Sequence, residues 1–276
     1  MSDGVRSDHA GLPFAEKQMK LEVWSIMPIL TILFVLTAAL YASVGFGGGS
    51  TYTALLVLND VDYRILPSIS LICNLIVVTG GTIRFARAGQ IDWRAIAPFI
   101  VASIPAAWIG GRIEISQSAF VAALGLTLAL AGLHLLTKSP AAAPAISTRR
   151  LWIALPAGAV LGLVSGLVGI GGGIFLAPLL HVLRWGNPRK IAGACSLFIL
   201  VNSGSGLAGQ AMKRSLPEFF AAAGEFWPLF AAVFVGGAIG SQLGVRVLPE
   251  HWLRRLTALL ILYAAARLLL RWLAET

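Results

Sequence analysis

The sequence predicts an all-α polytopic membrane protein with 8–10 membrane segments. It is expected to comprise two homologous halves related as inverted repeats, each with a glycine-broken or re-entrant helix. Three observations carry that prediction. First, the 276 residues are 57% hydrophobic and only 12% charged, whereas a soluble domain carries about 25% charged residues. With a mean hydropathy of +0.83, the chain cannot coat itself in water-compatible groups. Second, the apolar runs are continuous and about 20 residues long, the length of a bilayer-crossing helix; an outer-membrane barrel would show alternating segments of roughly 10. Third, one glycine motif occurs twice. It reads Val-Gly-Phe-Gly-Gly-Gly-Ser from Val44 and Val-Gly-Ile-Gly-Gly-Gly-Ile from Val168. Gly45 and Gly169 lie 124 positions apart, as do Gly49 and Gly173.

The elements follow in order. A polar, mixed-charge segment covers 1–23, and the first membrane repeat covers 24–137. It opens with a spanning helix at 24–44, too long for a signal-peptide core. After the glycine break come a short apolar stretch at 51–58 and a turn made by Asn59, Asp60 and Asp62. Helices are expected at 65–85, 95–111 and 119–136. A linker at 138–150 contains Pro140, Pro144 and Arg149–Arg150. The second repeat, 151–276, copies the layout with a helix at 151–168, the second break, and a short stretch at 175–183. Helices at 191–211, 226–247 and 253–273 complete it. If each short stretch crosses the bilayer, each half has five passages and the halves are inverted; if the stretches are re-entrant, each half has four and the halves are parallel. Inversion is favoured, because a midplane site at a pseudo-two-fold axis explains why both breaks exist.

The formal net charge is +9. The basic residues fall mainly in loops between apolar runs, so the charge reads as cytoplasmic loop retention, and nucleic-acid binding is not expected. Cys73 and Cys195 lie inside apolar runs and form no disulfide or metal pattern. No cofactor is expected. No Walker-type Gly-Lys-Ser/Thr motif is present, and no Asp or Glu sits clearly mid-membrane.

The breaks carry the functional expectation. Glycine lets a ligand approach the backbone closely. A short helix starting there offers amides that have no intrahelical partner and carry about half a positive charge. Two such ends facing each other form an anion site without a buried cation, which lipid disfavours. The expected substrate contacts are Gly47, Gly48, Gly49, Ser50 and Thr51 in the first half, with Asn74 on the following helix. In the second half they are Gly171, Gly172, Gly173, Cys195, Ser196 and Asn202. Ser70, Thr79, Ser203 and Ser205 are further uncharged donors at helical spacing. The alternative for these small residues is close helix packing. His134 and His181 sit near helix ends, where an interfacial position is the default and proton coupling the functional alternative. Arg267 and Arg271 share one face of the last helix and are expected to reach headgroups; Glu218 and Glu225 fall in a loop. The expected partners are a small anion and the lipid bilayer. Readings kept open are an anion channel and a non-transporting assembly or sensor subunit.

Three stretches resemble the sulfite exporter TauE/SafE family of TSUP permeases: Gly45-Phe-Gly-Gly-Gly49, Gly169-Ile-Gly-Gly-Gly-Ile-Phe-Leu-Ala-Pro178, and Ala192-Gly-Ala-Cys-Ser-Leu-Phe-Ile-Leu-Val-Asn-Ser203. The chain departs from the family at two places: the family's proline after the first cluster would fall near Ala54, where none is present, and Cys195 stands where threonine is usual. The resemblance implies an inner-membrane secondary transporter, not an enzyme, that moves small sulfur-containing or organic anions such as sulfite, thiosulfate or sulfonates.

Overall fold

A computed structural model describes residues 14–43, 45–59, 61–136, 151–183, 185–186, 188–213 and 223–243, with single positions between 259 and 273. Among the described residues the regular structure is helical, with no strand. The first half holds α1 (Phe14–Ser43), α2 (Gly49–Leu58), α3 (Leu66–Arg87), α4 (Trp93–Arg112) and α5 (Gln117–Leu136). The second holds α6 (Leu151–Val168), α7 (Gly173–Val182), α8 (Pro188–Ala211) and α9 (Trp227–Leu243). The stretch Ile26–Ser43 of α1, all of α3 and α4, and Arg189–Ala211 of α8 are long and apolar enough to cross a membrane.

Boundaries depart from the sequence expectation where local chemistry outweighs hydropathy. Helix α1 begins at Phe14, because the polar segment before Trp24 contains good helix formers. Helix α8 begins at Pro188, a residue suited to the first helical turn. Helices α2 and α7 begin on Gly49 and Gly173, two residues earlier than expected. The start of α4 is fixed by Asp92, whose carboxylate accepts the Ala95 amide at 3.1 Å. The 138–150 linker, Glu218, Arg267, Arg271 and the side chains of His134 and His181 lie outside the described residues. Of the last predicted helix, only single positions are described, and those are helical.

Helix directions follow from residue-by-residue approach. Gly158, Gly162 and Gly166 of α6 lie against the carbonyls of Phe99, Ser103 and Ala107 of α4, where any Cβ would overlap backbone. Numbers rise together, so the two helices run the same way. Gly236 and Gly240 of α9 meet Val35 and Ala39 of α1 in the same manner. These are the small-residue crossings that let membrane helices pack backbone to backbone. Helix α8 also runs with α4: Gly193 lies by Gln90 and Ile91, and Gly209 by Trp108 and Gly111. Helices α3 and α8 run oppositely, with Phe85 beside Gly193 and Leu71 beside Gly206. Exchanging the halves turns the α4–α6 pair into α9–α1 and the α4–α8 pair into α9–α3; all four pairs are packed together.

Two apolar clusters fill the interior. Phe34, Tyr52, Leu56, Leu66 and Leu124 anchor one; Ile96, Phe99, Leu180 and Phe198 anchor the other. Outside, Val101, Leu130, Val160 and Phe234 present apolar surface, as helices facing lipid do. Trp93, Trp152 and Trp227 are exposed at or beside the starts of α4, α6 and α9, where aromatic rings suit the membrane–water boundary.

Candidate functional site: two glycine breaks meeting at Asn74

The two breaks share a backbone design. Gly48 and Gly172 have φ of +86° and +75°, a region that costs glycine little and an L side chain much. The Gly48 carbonyl accepts the amides of Thr51 and Tyr52 at 2.9 and 3.0 Å. The Gly172 carbonyl accepts those of Phe175 and Leu176 at 3.2 and 3.1 Å. Each short helix therefore starts the same way. No side chain caps α2. By helix geometry the amides of Gly49 and Ser50, and of Gly173 and Ile174, precede any intrahelical acceptor.

The breaks enter from opposite ends. Gly45 lies beside Phe85 and Ala192, at the end of α3 and the start of α8. Gly47 reaches Asn74 and Val78; Gly49 reaches Asn74, and its carbonyl accepts the Ser70 hydroxyl at 2.9 Å. Helix α2 then continues to the turn that begins α3. Conversely, Gly169 packs on Pro67 at the start of α3, and Gly171 lies between Asn74, Ile199 and Ser203. The two breaks touch: a Cβ on Gly49 would stand 2.7 Å from the Ile170 carbonyl oxygen.

Asn74 occupies that meeting point. It is fully buried. Its amide nitrogen donates to the Ile170 carbonyl at 3.3 Å, tying the halves together. A Cβ on Gly47 or Gly49 would overlap its amide group, and one on Gly171 would lie 2.8 Å from its nitrogen. Its Oδ1 has no hydrogen-bond partner among the described residues. The same holds for the buried hydroxyls of Ser203, Ser165 and Tyr52. Ser203 Oγ would lie 3.3 Å from a Cβ on Gly171, Ser165 Cβ 3.5 Å from one on Gly172, and Tyr52 Oη 3.0 Å from one on Gly48. A buried polar atom left unpaired costs about 1–3 kcal/mol, and such atoms in one place call for a water or ligand.

The other expected residues fall into two groups. Ser50 and Thr51 are buried at the start of α2, with Thr51 Oγ1 2.9 Å from the Tyr41 hydroxyl. Cys195 is buried, and its carbonyl approaches Gly173. Asn202 is also buried; its nitrogen donates to the Phe198 carbonyl at 2.8 Å and its Oδ1 has no partner among the described residues. Ser196 instead faces α3, 2.8 Å from the Thr82 hydroxyl and 3.4 Å from the Val78 carbonyl. Thr79 is exposed and donates to its own helix at Leu75; Ser205 is spent on the Ile104 carbonyl of α4. Sequence reasoning missed Tyr41, Tyr52, Ser165 and the Ile170 carbonyl. The offset that relates the breaks also pairs Tyr41 with Ser165, a signal that would have found both.

The family model for the sulfite exporter TauE/SafE matches residues 30–268, a span that includes both breaks. The chain belongs to the TauE/SafE family. The "Probable membrane transporter protein y4hK" of Sinorhizobium fredii is 35% identical over 245 residues, covering 87% of this chain and 97% of that protein. The "Probable membrane transporter protein MJ0441" of Methanocaldococcus jannaschii is 26% identical over 198 residues, covering 68% of this chain and 73% of that one. No solved structure gives a significant match. This TauE/SafE chain is a membrane permease. Its breaks and Asn74 all lie within the matched span.

Proposed function

We propose that the protein is a secondary transporter of the bacterial inner membrane that carries small sulfur-containing or organic anions, of the sulfite, thiosulfate or sulfonate type, by alternating access. The observation that carries this reading is the convergence of two glycine-broken helix starts on one buried asparagine with an unpaired oxygen. Each start brings partial positive charge without a buried cation. The amides and the Asn74 nitrogen donate to oxyanion oxygens. The Asn74 oxygen and the hydroxyls of Ser165 and Ser203 accept, so a singly protonated oxyanion such as hydrogensulfite satisfies both kinds of group. No nucleophile, cofactor or ATP chemistry enters the reading.

In this reading the halves are inverted repeats. Each break with its short helix makes one passage, giving five per half. The opposed run of α3 and α8, the breaks entering from opposite ends, and the pairing that survives exchange of halves support it. Arg84, Arg87, Arg94, Arg189 and Lys190 cluster toward one end, which is the cytoplasmic end by the positive-inside rule.

The test is counterflow of labelled sulfite into proteoliposomes, competed by thiosulfate, sulfoacetate, sulfate and acetate, with and without a pH gradient. Saturable exchange with preference for sulfur anions is expected. Flux that does not saturate and shows no exchange would identify a channel instead; no flux of any of these anions would remove the substrate class.

A further inference from the structure

A second feature lies apart from Asn74. At the end of the molecule opposite the Arg84–Arg94 loop, five helix ends converge: the starts of α3 and α5 and the ends of α4, α6 and α8. They enclose a cavity of about 420 Å³. At about 30 Å³ per water, that is room for a small oxyanion with several waters. Among the described residues its charged lining is Arg64, Lys213 and Glu114, with the Asp62 carboxylate close enough to act on Arg64. Arg64 is held in place: its backbone amide donates to Asp62 at 2.9 Å, its Nε to the Tyr63 hydroxyl at 3.3 Å, and its guanidinium lies 5.6 Å from the Tyr63 ring centre. The Tyr63 hydrogen bond, with Tyr63 and Asp62 alongside, pushes its pKa up further. Gln210, which is buried and donates to the Gly166 carbonyl at 2.9 Å, supplies a polar wall. Pro67 and Leu167 also line the cavity, and Pro67 Cα would stand 2.5 Å from a Cβ on Gly169. The cavity thus ends where the second glycine break begins.

We propose that this cavity is an antechamber that holds a small oxyanion of sulfonate or sulfate size before it reaches the glycine breaks. Arg64 attracts the anion, Gln210 lines the wall beside it, and Glu114 is the counter-charge that keeps its residence short. The role as an antechamber rests on the transport reading; occupancy by an anion does not.

Electrostatic labelling tests occupancy directly. Ile113 lines the same cavity and is partly exposed. Full-length protein carrying Ile113→Cys, or Ile115→Cys if the first does not fold, is reacted with sulfonate-bearing and trimethylammonium-bearing methanethiosulfonates. The native Cys73 and Cys195 are buried. The anionic reagent is expected to react several-fold faster relative to the cationic one than with a free thiol. Arg64→Gln should lower that ratio, Glu114→Gln should raise it, and Arg64→Lys should hold it. Sodium methanesulfonate should slow labelling in the parent and less so in Arg64→Gln. In counterflow, Arg64→Gln should raise KM several-fold with Vmax unchanged. Ratios indifferent to Arg64→Gln and Glu114→Gln, with no slowing by methanesulfonate, would overturn the antechamber even if counterflow were intact. Slowing by methanesulfonate without counterflow would leave anion occupancy standing and remove the sulfur-anion substrate class on which the antechamber role rests.

Discussion

The two glycine breaks have nearly the same backbone and very different surroundings. Both begin a ten-residue helix just after a left-handed glycine whose carbonyl takes two amides of the first turn. Around the first break the side chains are polar. Asn74 fills the space beside Gly47 and Gly49, and Ser70 and Thr53 both donate to the Gly49 carbonyl at 2.9 Å. Around the second, Phe198 presses on Gly172 and Ile199 on Gly173. The place that Asn74 takes beside Gly49 is taken beside the matching Gly173 by Ile199. Even the backbone departs at one point: Gly171 has φ +83°, while its counterpart Gly47 is not left-handed. The duplicated part is the geometry that exposes amides. The part that diverged is the chemistry that selects and holds what they meet.

The largest effect should come from disturbing the shared geometry. Gly48→Val and Gly172→Val each place a branched side chain at a positive φ; at Gly172 it also meets Phe198 at 2.9 Å. Sulfite exchange should fall below detection in both while the protein still inserts, as assayed by membrane fractionation. Wild-type exchange in both variants would remove the breaks from the site.

The next effect should separate the two sides. Asn74→Leu is expected to reduce exchange about tenfold or more, equivalent to ~1.4 kcal/mol, and Phe198→Leu about twofold or less. Equal losses would mean that the breaks are chemically alike after all. Ser70→Ala and Thr53→Ala should each cost about 1 kcal/mol of stability, read as a lower melting temperature in detergent, because the Gly49 carbonyl loses one of its two side-chain donors. The smallest change is expected at Ser196. Ser196→Ala removes a contact to Thr82 that lies away from the breaks, so exchange should stay within about a factor of two while stability falls by about 1 kcal/mol.

Much of the fold was legible because bilayer physics leaves few options. Apolar runs of spanning length became α3, α4 and α8, and the glycine motifs became the starts of α2 and α7. Asn74 was legible as a polar residue in an apolar helix. Its role as the contact between halves was not, because the Ile170 carbonyl is a backbone atom with no signature in residue type. Ser196 and Asn74 looked equivalent along the chain, each about two turns into its helix. The direction a side chain faces separates them, and that depends on how α3 and α8 cross. The early start of α1 was hidden because hydropathy marks where a helix is buried, not where it begins.

The Asn74–Ile170 hydrogen bond also has a kinetic consequence. The Asn74 amide nitrogen has two N–H donors, and the Ile170 carbonyl holds one of them; an anion that accepts the other makes the amide a poorer donor to Ile170, so loading the site loosens one tie between the halves that an unloaded molecule keeps. Reorientation with cargo should then be quicker than reorientation without it. Exchange of anion for anion is expected to outrun net loss from preloaded vesicles, and Asn74→Ala should narrow that gap even as it weakens both fluxes.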